Sequence, residues 1–367
     1  MKIGVDIGFI VQDKRGMGSY VRNMIQLLLS DYTEHTYTLF YRDNRNNSNI
    51  IKYLNSISAA ADYRLLPLRA CRNADLDVCL FPWNRVDAVP KHCRIAATIH
   101  DAAPFVYPLR GMMRYFDQRS DEGRFKHAAK TAHLVFAVSK FAQEELQRYM
   151  HIPEDRIKVT HLGISDFFRR HTVTNDERLQ IRQILGFEGD FLLFVGANDE
   201  RKNVRRLLQA YSLWKKNTGM QHKLVLCGVS PREADMYSNI THEDGVSDGF
   251  VFLPTVGDKL PGLYRMAAAL VVPSLYEAFC FPVPEAMASG TPVICSNAAC
   301  LPEIAGDAAL YFDPLSVEDM ALKIDTYTRN ADLRADMIKR GLQQVEKYTW
   351  EKTVAETVSA LTQLVVN

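Results

Sequence analysis

No stretch of this chain approaches the roughly 18 consecutive apolar residues that a membrane helix needs, so no spanning segment is expected. There is no surplus of either charge: 44 Lys and Arg face 43 Asp and Glu, a formal net charge of +1. A general nucleic-acid binder carries a basic excess to neutralise phosphates, so no nucleic-acid partner is expected, although one local basic cleft stays open. The seven cysteines form no C-x-x-C pair, and most lie in apolar runs such as LDVCLF and HKLVLCG. That placement reads as buried thiols in a reducing compartment. The start, MKIGVDIGFIVQDKR, lacks the cleavage region of a signal peptide and carries Asp6 within its apolar run. The expected location is therefore the cytoplasm, with the inner face of the cell membrane and peripheral association there left open. The dinucleotide fingerprint G-x-G-x-x-G is absent, which weighs against a nicotinamide dehydrogenase.

What is present is ordinary globular composition, 47% hydrophobic and 24% charged over 367 residues. That length allows two or three domains with cores of their own. Seven short apolar runs read as strands in the first half: KIGVDIG, TYTLFY, DYRLLPL, LDVCLFP, RIAATIH, HLVFAVS and RIKVTHLG. Near-continuous apolar character suits parallel strands buried on both faces. Helical patterns lie between them. Val21, Ile25 and Leu28 share one stripe, and Ser139 is placed to cap a helix through Ala142, Leu146 and Tyr149. After a polar stretch at 165–190, six further strands follow: FLLFVG, HKLVLCG, VFLPTV, AALVVPS, PVICSN and ALYFDP. The fold class expected is α/β, with two βαβ domains in series. The terminal helix puts Trp350, Val354, Val358 and Leu361 on one face, which must bury against something.

In open parallel sheets ligands bind beyond the C-terminal ends of the strands, where helix starts favour negative charge. Several strand ends here are followed by residues that suit such a crevice. After the first strand come Gly16 and Gly18, which let a loop bring its backbone near a ligand or are simply loop glycines. After RIAATI come His100 and Asp101, a histidine adjustable near neutral pH or a polar pair closing a loop. After FLLFVGAND come Arg201 and Lys202, where a helix should start. Two cations there oppose the helix dipole unless an anion such as a diphosphate binds. The stretch SLYEAFCFPVPEAMASG turns from loop to helix around Pro284. It holds Glu277 in the loop and Glu285 in the first helical turn. Carboxylates accept hydrogen bonds from sugar and ribose hydroxyls, and the amides of Phe279, Cys280 and Phe281 suit a phosphate. The plain alternatives are a turn residue for Glu277 and a dipole-favoured charge for Glu285. Asp75 and Asp77 run into a strand and read as its start rather than a metal site. The basic stretch Met112 to His133 suits either a phosphate-bearing acceptor or a solvated helix face.

Five segments in order carry a resemblance: KRGMGSYVRNMIQLL, ATIHDAAPFVYP, LVFAVSKFAQEELQRYMHIPEDRIKVTHLGI, LFVGANDERKNVRRLLQAY and SLYEAFCFPVPEAMASGTPVICSNAACLPEIAGDAALYFDP. Together the chain resembles the retaining glycosyltransferases of family 4, which include bacterial mannosyl- and glucosyltransferases of polysaccharide synthesis. The resemblance implies GT-B architecture, two Rossmann-like parallel-sheet domains facing across a cleft. It implies an acceptor-side domain over 1–168, a nucleotide-sugar domain over 169–345, and a helix over 346–367 packing back on the first. It implies that Glu277 meets donor sugar hydroxyls and Glu285 the ribose, matching the family's E-x7-E signature. Arg201 and Lys202 would neutralise the diphosphate, with Gly16, Gly18, Gly196 and the 279–281 loop close to the donor and Val256 near its base. His100 and Asp101 would stand at the acceptor side. Here the chain reads EAFCFP, with Ala278 and Cys280 where the family commonly has glycines. The implied donor is a UDP- or GDP-hexose acting as co-substrate, with no cofactor or metal. The implied acceptor is a saccharide or lipid-linked saccharide, and the protein a monomer or weak homodimer. A degenerate member that binds a sugar nucleotide without turnover is the other reading.

Overall fold

The computed structural model describes residues 1–13, 16–42, 47–107, 112–242 and 246–366. The chain divides into two compact units, Met1–Gly163 with Tyr348–Asn367, and Ile164–Lys347. Among the described residues the first unit holds seven strands: β1 (Lys2–Asp6), β2 (Thr36–Tyr41), β3 (Tyr63–Pro67), β4 (Val78–Phe81), β5 (Arg94–Thr98), β6 (Leu134–Ala137) and β7 (Ile157–Val159). They pair in parallel in the order β3-β2-β1-β4-β5-β6-β7. The second unit holds six: β8 (Phe191–Val195), β9 (Lys223–Cys227), β10 (Phe250–Leu253), β11 (Ala269–Val272), β12 (Val293–Ser296) and β13 (Ala309–Phe312). These are also parallel, ordered β10-β9-β8-β11-β12-β13. Every strand coincides with an apolar run legible in the sequence.

Both sheets are doubly wound. The chain builds outward from β1 in one direction, then returns to add β4 on its other side; β8 and β11 repeat that arrangement. β8 and β11 at the centre of the second sheet are apolar throughout, as strands covered on both faces must be. All four residues of β4, β11 and β12 are buried. The helix Val204–Thr218 buries Val204, Leu207, Leu208, Tyr211 and Trp214 along one stripe against the second sheet. In the first unit the helix Gly16–Asp31 buries Val21, Ile25 and Leu28. The final helix, Trp350–Val366, packs against it, with Trp350, Val354, Val358 and Leu361 buried. Ser139 Oγ accepts the Ala142 N–H at 3.0 Å, capping the helix Lys140–Met150.

Candidate active site

The second sheet reverses its winding between β8 and β11. Loops leaving neighbouring strands part at such a point and leave a crevice at their C-terminal ends. Lys202 comes from the segment after β8 and Glu277 from the loop after β11. Their side chains form an ion pair, each still partly open at 18% and 14% exposure. Ser274 Oγ donates to Glu277 Oε1 at 3.1 Å. Burial works to lower the Lys202 pKa, but the facing Glu277 outweighs it and the ammonium is held above its usual range. Arg201 is turned to Asp199, whose two oxygens accept its Nε and Nη2 at 3.0 Å each. Asp199 also caps the short turn Glu200–Lys202 by accepting the Arg201 N–H at 2.9 Å. Burial would raise the Asp199 carboxyl, yet the Arg201 contacts bring it below its usual value. The two cations do not start the helix. They sit in the turn before it, each against a carboxylate, so the dipole conflict expected at Arg201 and Lys202 does not arise.

Asn203 fixes this turn in place. It is buried, with a left-handed φ of 57°, a conformation its short polar side chain tolerates. Its Nδ2 donates to Pro273 O at 3.0 Å and Pro314 O at 2.8 Å. One amide therefore ties the segment after β8 to those after β11 and β13. Leu275 N–H adds a bond to Arg201 O at 2.7 Å.

The helix Pro282–Ala288 begins at Pro282, earlier than the start expected around Pro284, because a proline at the first helical position gives up no bonded N–H. Glu285 lies in its first turn, half-buried, and Tyr264 OH donates to Oε2 at 3.0 Å. Burial pushes the Glu285 carboxyl up to about 7, against the opposing pull of Tyr264 and Lys202. In the loop before it, the Phe279 and Phe281 rings meet edge to face, centroids 5.3 Å apart. Cys280 between them has φ +55°, in the left-handed region that glycine enters freely. Its thiol is buried and pushed well above its ordinary pKa by burial and then by Glu277. Gly196 bonds its N–H to Cys227 O at 2.9 Å, and a Cβ there would stand 3.5 Å from Lys202 Cε. Val256 precedes the turn Gly257–Lys259 after β10 and is half-buried.

The remaining candidates belong to the first unit. Gly16 opens a helix and Gly18 lies in its first turn; Lys14 and Arg15 of the same loop lie outside the described residues. A Cβ on Gly18 would fall 1.8 Å from Asp13 O, so the close approach this glycine permits is to its own loop. His100 is 7% exposed and donates from Nε2 to Pro82 O at 3.1 Å, a bond that with Asp13 favours the charged ring less than burial disfavours it. Burial holds its pKa down to about 4. The expectation of a charge adjustable near neutral pH is therefore corrected: the imidazole is neutral there. Its backbone N–H donates to Asn84 Oδ1 at 2.6 Å. Asp101 Oδ1 accepts the Ala103 N–H at 3.1 Å and closes the following turn. Asp77 takes the Lys2 N–H at 2.7 Å and Asp75 pairs with Lys2 Nζ, fastening the start of a strand. The basic stretch from Met112 forms the helix Met112–Thr131, of which the side chains at 112–119 lie outside the described residues.

Asn203, Ser274 and Tyr264 could not be singled out from sequence. The partners of Asn203 and Tyr264 lie far along the chain and Ser274 reads as an ordinary loop serine three positions before Glu277; only Asn203 left a local signal, an asparagine just past a polar turn where a left-handed residue fits.

Two doubly wound parallel sheets in one chain define a GT-B protein. The solved glycosyltransferase of Rickettsia africae superposes with a TM-score of 0.74 at 15% identity, covering 100% of this chain and 99% of that one. Anabaena HepE in complex with UDP-glucose superposes at 0.72 and 15% identity, covering 98% and 100%. The Glycosyltransferase Family 4 pattern matches residues 15–166, and the Glycosyl transferases group 1 pattern matches residues 177–344. The O-antigen chain mannosyltransferase B of Escherichia coli is 35% identical over 273 residues, 73% of this chain and 70% of that protein. The chain belongs to this glycosyltransferase family. It is an enzyme that moves a sugar from a nucleotide-activated donor to an acceptor. Among the described residues no helix is long and apolar enough to cross a membrane.

Proposed function

We propose that the enzyme transfers a hexose, with mannose favoured, from a nucleoside diphosphate sugar to a saccharide or lipid-linked saccharide hydroxyl, retaining the anomeric configuration. The preference for mannose follows the name of the relative from Escherichia coli, an O-antigen chain mannosyltransferase. The Lys202–Glu277 pair at the winding reversal carries this reading. A donor entering between the two offers each a new partner: its diphosphate for the ammonium, its sugar hydroxyls for the carboxylate. Arg201 stands beside Lys202 as a second cation. Glu285 takes a ribose hydroxyl, with the base toward Val256. Gly196 and the amides at Phe279, Cys280 and Phe281 admit the donor closely. The anomeric carbon–phosphate oxygen bond breaks and a bond to the acceptor oxygen forms on the same face. The released diphosphate takes the acceptor's proton, and Lys202 with Arg201 stabilises its growing charge. On this path neither glutamate is a nucleophile. His100, neutral, orients the sugar by hydrogen bonding, with Asp101 at the same acceptor side and the loop at Gly16 and Gly18 close to the donor phosphates.

The test is a transfer assay with GDP-mannose, UDP-glucose, UDP-N-acetylglucosamine and ADP-glucose, on wild type and Glu277→Gln. One donor should be turned over, with GDP-mannose expected, and Glu277→Gln should lose turnover. Full turnover in the variant would remove Glu277 from the site.

A further inference from the structure

The basic stretch ending at His133 supplies part of a second site. At the N-terminal ends of β5, β6 and β7 the first unit holds a cavity of about 420 Å³. Its lining includes Arg94, Lys130, Thr131, His133, Arg156 and Leu364. Arg94 opens β5, whereas His100 lies past its far end, ~20 Å away at about 3.3 Å per residue. This is the pole of the first sheet opposite the strand end that carries His100 and Asp101.

Among the described residues no carboxylate lines the cavity. Arg156 has an evident structural role, since its Nη2 donates to Ala129 O at 2.8 Å and also to Ala132 O, satisfying carbonyls at the end of the helix Met112–Thr131. That role leaves Arg94 and Lys130 unexplained, because neither has a carboxylate partner among the described residues. His133 Nδ1 accepts the Ile95 N–H at 3.0 Å, so the neutral ring carries its proton on Nε2. Guanidinium, ammonium, imidazole N–H and the Thr131 hydroxyl thus make the polar lining rich in donors.

We infer that this cavity is an anion site that takes a phosphate group, separate from the donor site. Three cations around one hollow repel one another unless a counter-charge joins them, and a phosphate offers three acceptor oxygens to such a set. The His133 ring registers the imbalance: burial first, then Arg94 and Arg156, hold its pKa below the usual histidine value. The phosphate can belong to a small phosphorylated molecule or to a phospholipid headgroup.

The ring of His133 is also the probe. Among the described residues its charged neighbours in the lining are Arg94 from β5, Lys130 from its own side of the turn, and Arg156 before β7, while the final helix contributes Leu364. Its titration is followed by NMR in the full chain, with and without inorganic phosphate, in wild type and in Arg94→Gln/Lys130→Gln. Phosphate should raise the titration midpoint in wild type. In the double variant the midpoint should start higher, and phosphate should bind about tenfold more weakly. Lys130→Gln alone, at an exposed position, should give an intermediate loss without disturbing the fold. Pelleting with phosphatidylglycerol vesicles identifies the source. Pelleting that phosphate competes away assigns the site to headgroups, and none assigns it to free phosphorylated molecules. A wild-type midpoint that phosphate leaves unmoved, or an equal response in the double variant, overturns the inference.

Discussion

The two sheets share one winding order but use its reversal point differently. Between β1 and β4 the gap is filled. Trp83, 5% exposed, donates its indole N–H to Asp6 O at 2.7 Å and meets the Phe9 ring edge to face. Asp6 is fully buried, bonded to the Gly8 N–H at 2.8 Å and to Arg42 at 3.2 Å; burial lifts its pKa to about 6. Between β8 and β11 it is a charged pair that meets, Lys202 and Glu277, each still partly exposed. Topology supplies a crevice in both places. What differs is the side chains that meet there: an indole over a buried carboxylate strand end in the first sheet, a partly exposed ion pair in the second.

The largest effect should come from emptying the filled gap. Trp83→Ala is expected to lower unfolding free energy by about 3–5 kcal/mol in urea titration, while nucleoside diphosphate affinity stays as in wild type. Lost affinity in a folded variant would show that the first reversal point also serves the donor. At the open gap the expected loss is catalytic. Lys202→Ala should lower kcat/KM about 10²–10³-fold, because the leaving diphosphate loses a positioned cation, with little change in thermal midpoint. Steady-state kinetics beside a melting curve separates the two quantities.

Glu285 sharpens the contrast through pH. Its carboxyl titrates at about 7 in the folded chain against an ordinary 4.5. Between those values the folded state holds a proton that the unfolded state has released, so stability falls as pH rises through that window. Glu285→Gln should remove this contribution and flatten the fall, as read from denaturation midpoints across the range. A slope identical to wild type would mean that the carboxyl is ionised throughout. Asp6 contributes a fall of the same sign in both proteins and cancels in the difference. The smallest effect is expected at Cys280. Cys280→Gly relieves a left-handed side chain but loses a buried thiol and adds chain entropy, effects that offset to within about 1 kcal/mol. A loss well beyond that would show that packing of the thiol outweighs the relief of the backbone.

The strands were legible because parallel strands buried on both faces must be apolar on both, as in FLLFV and ALVV. The terminal stripe from Trp350 to Leu361 was legible from its three- and four-residue spacing, the mark of a helix buried along one face. Residue types at strand ends pointed to Lys202, Glu277 and Glu285, but pairings were not visible. Arg201 turns back to Asp199, two positions away, and Lys202 crosses to Glu277, 75 positions away. Nothing in local spacing separates those choices. The neutrality of His100 was hidden too, since it depends on the burial of the ring, which only the folded chain creates.

The most direct measurement is calorimetric binding of GDP and GDP-mannose, with UDP and UDP-glucose alongside, to wild type, Lys202→Ala, Glu277→Gln and Glu285→Gln. Lys202→Ala and Glu285→Gln should weaken both the diphosphate and its sugar conjugate. Glu277→Gln should weaken only the sugar conjugate, because its carboxylate meets the hexose alone. Unchanged affinity in all three variants, or equal loss of both ligands in Glu277→Gln, would contradict the placement of a sugar diphosphate between Lys202 and Glu277.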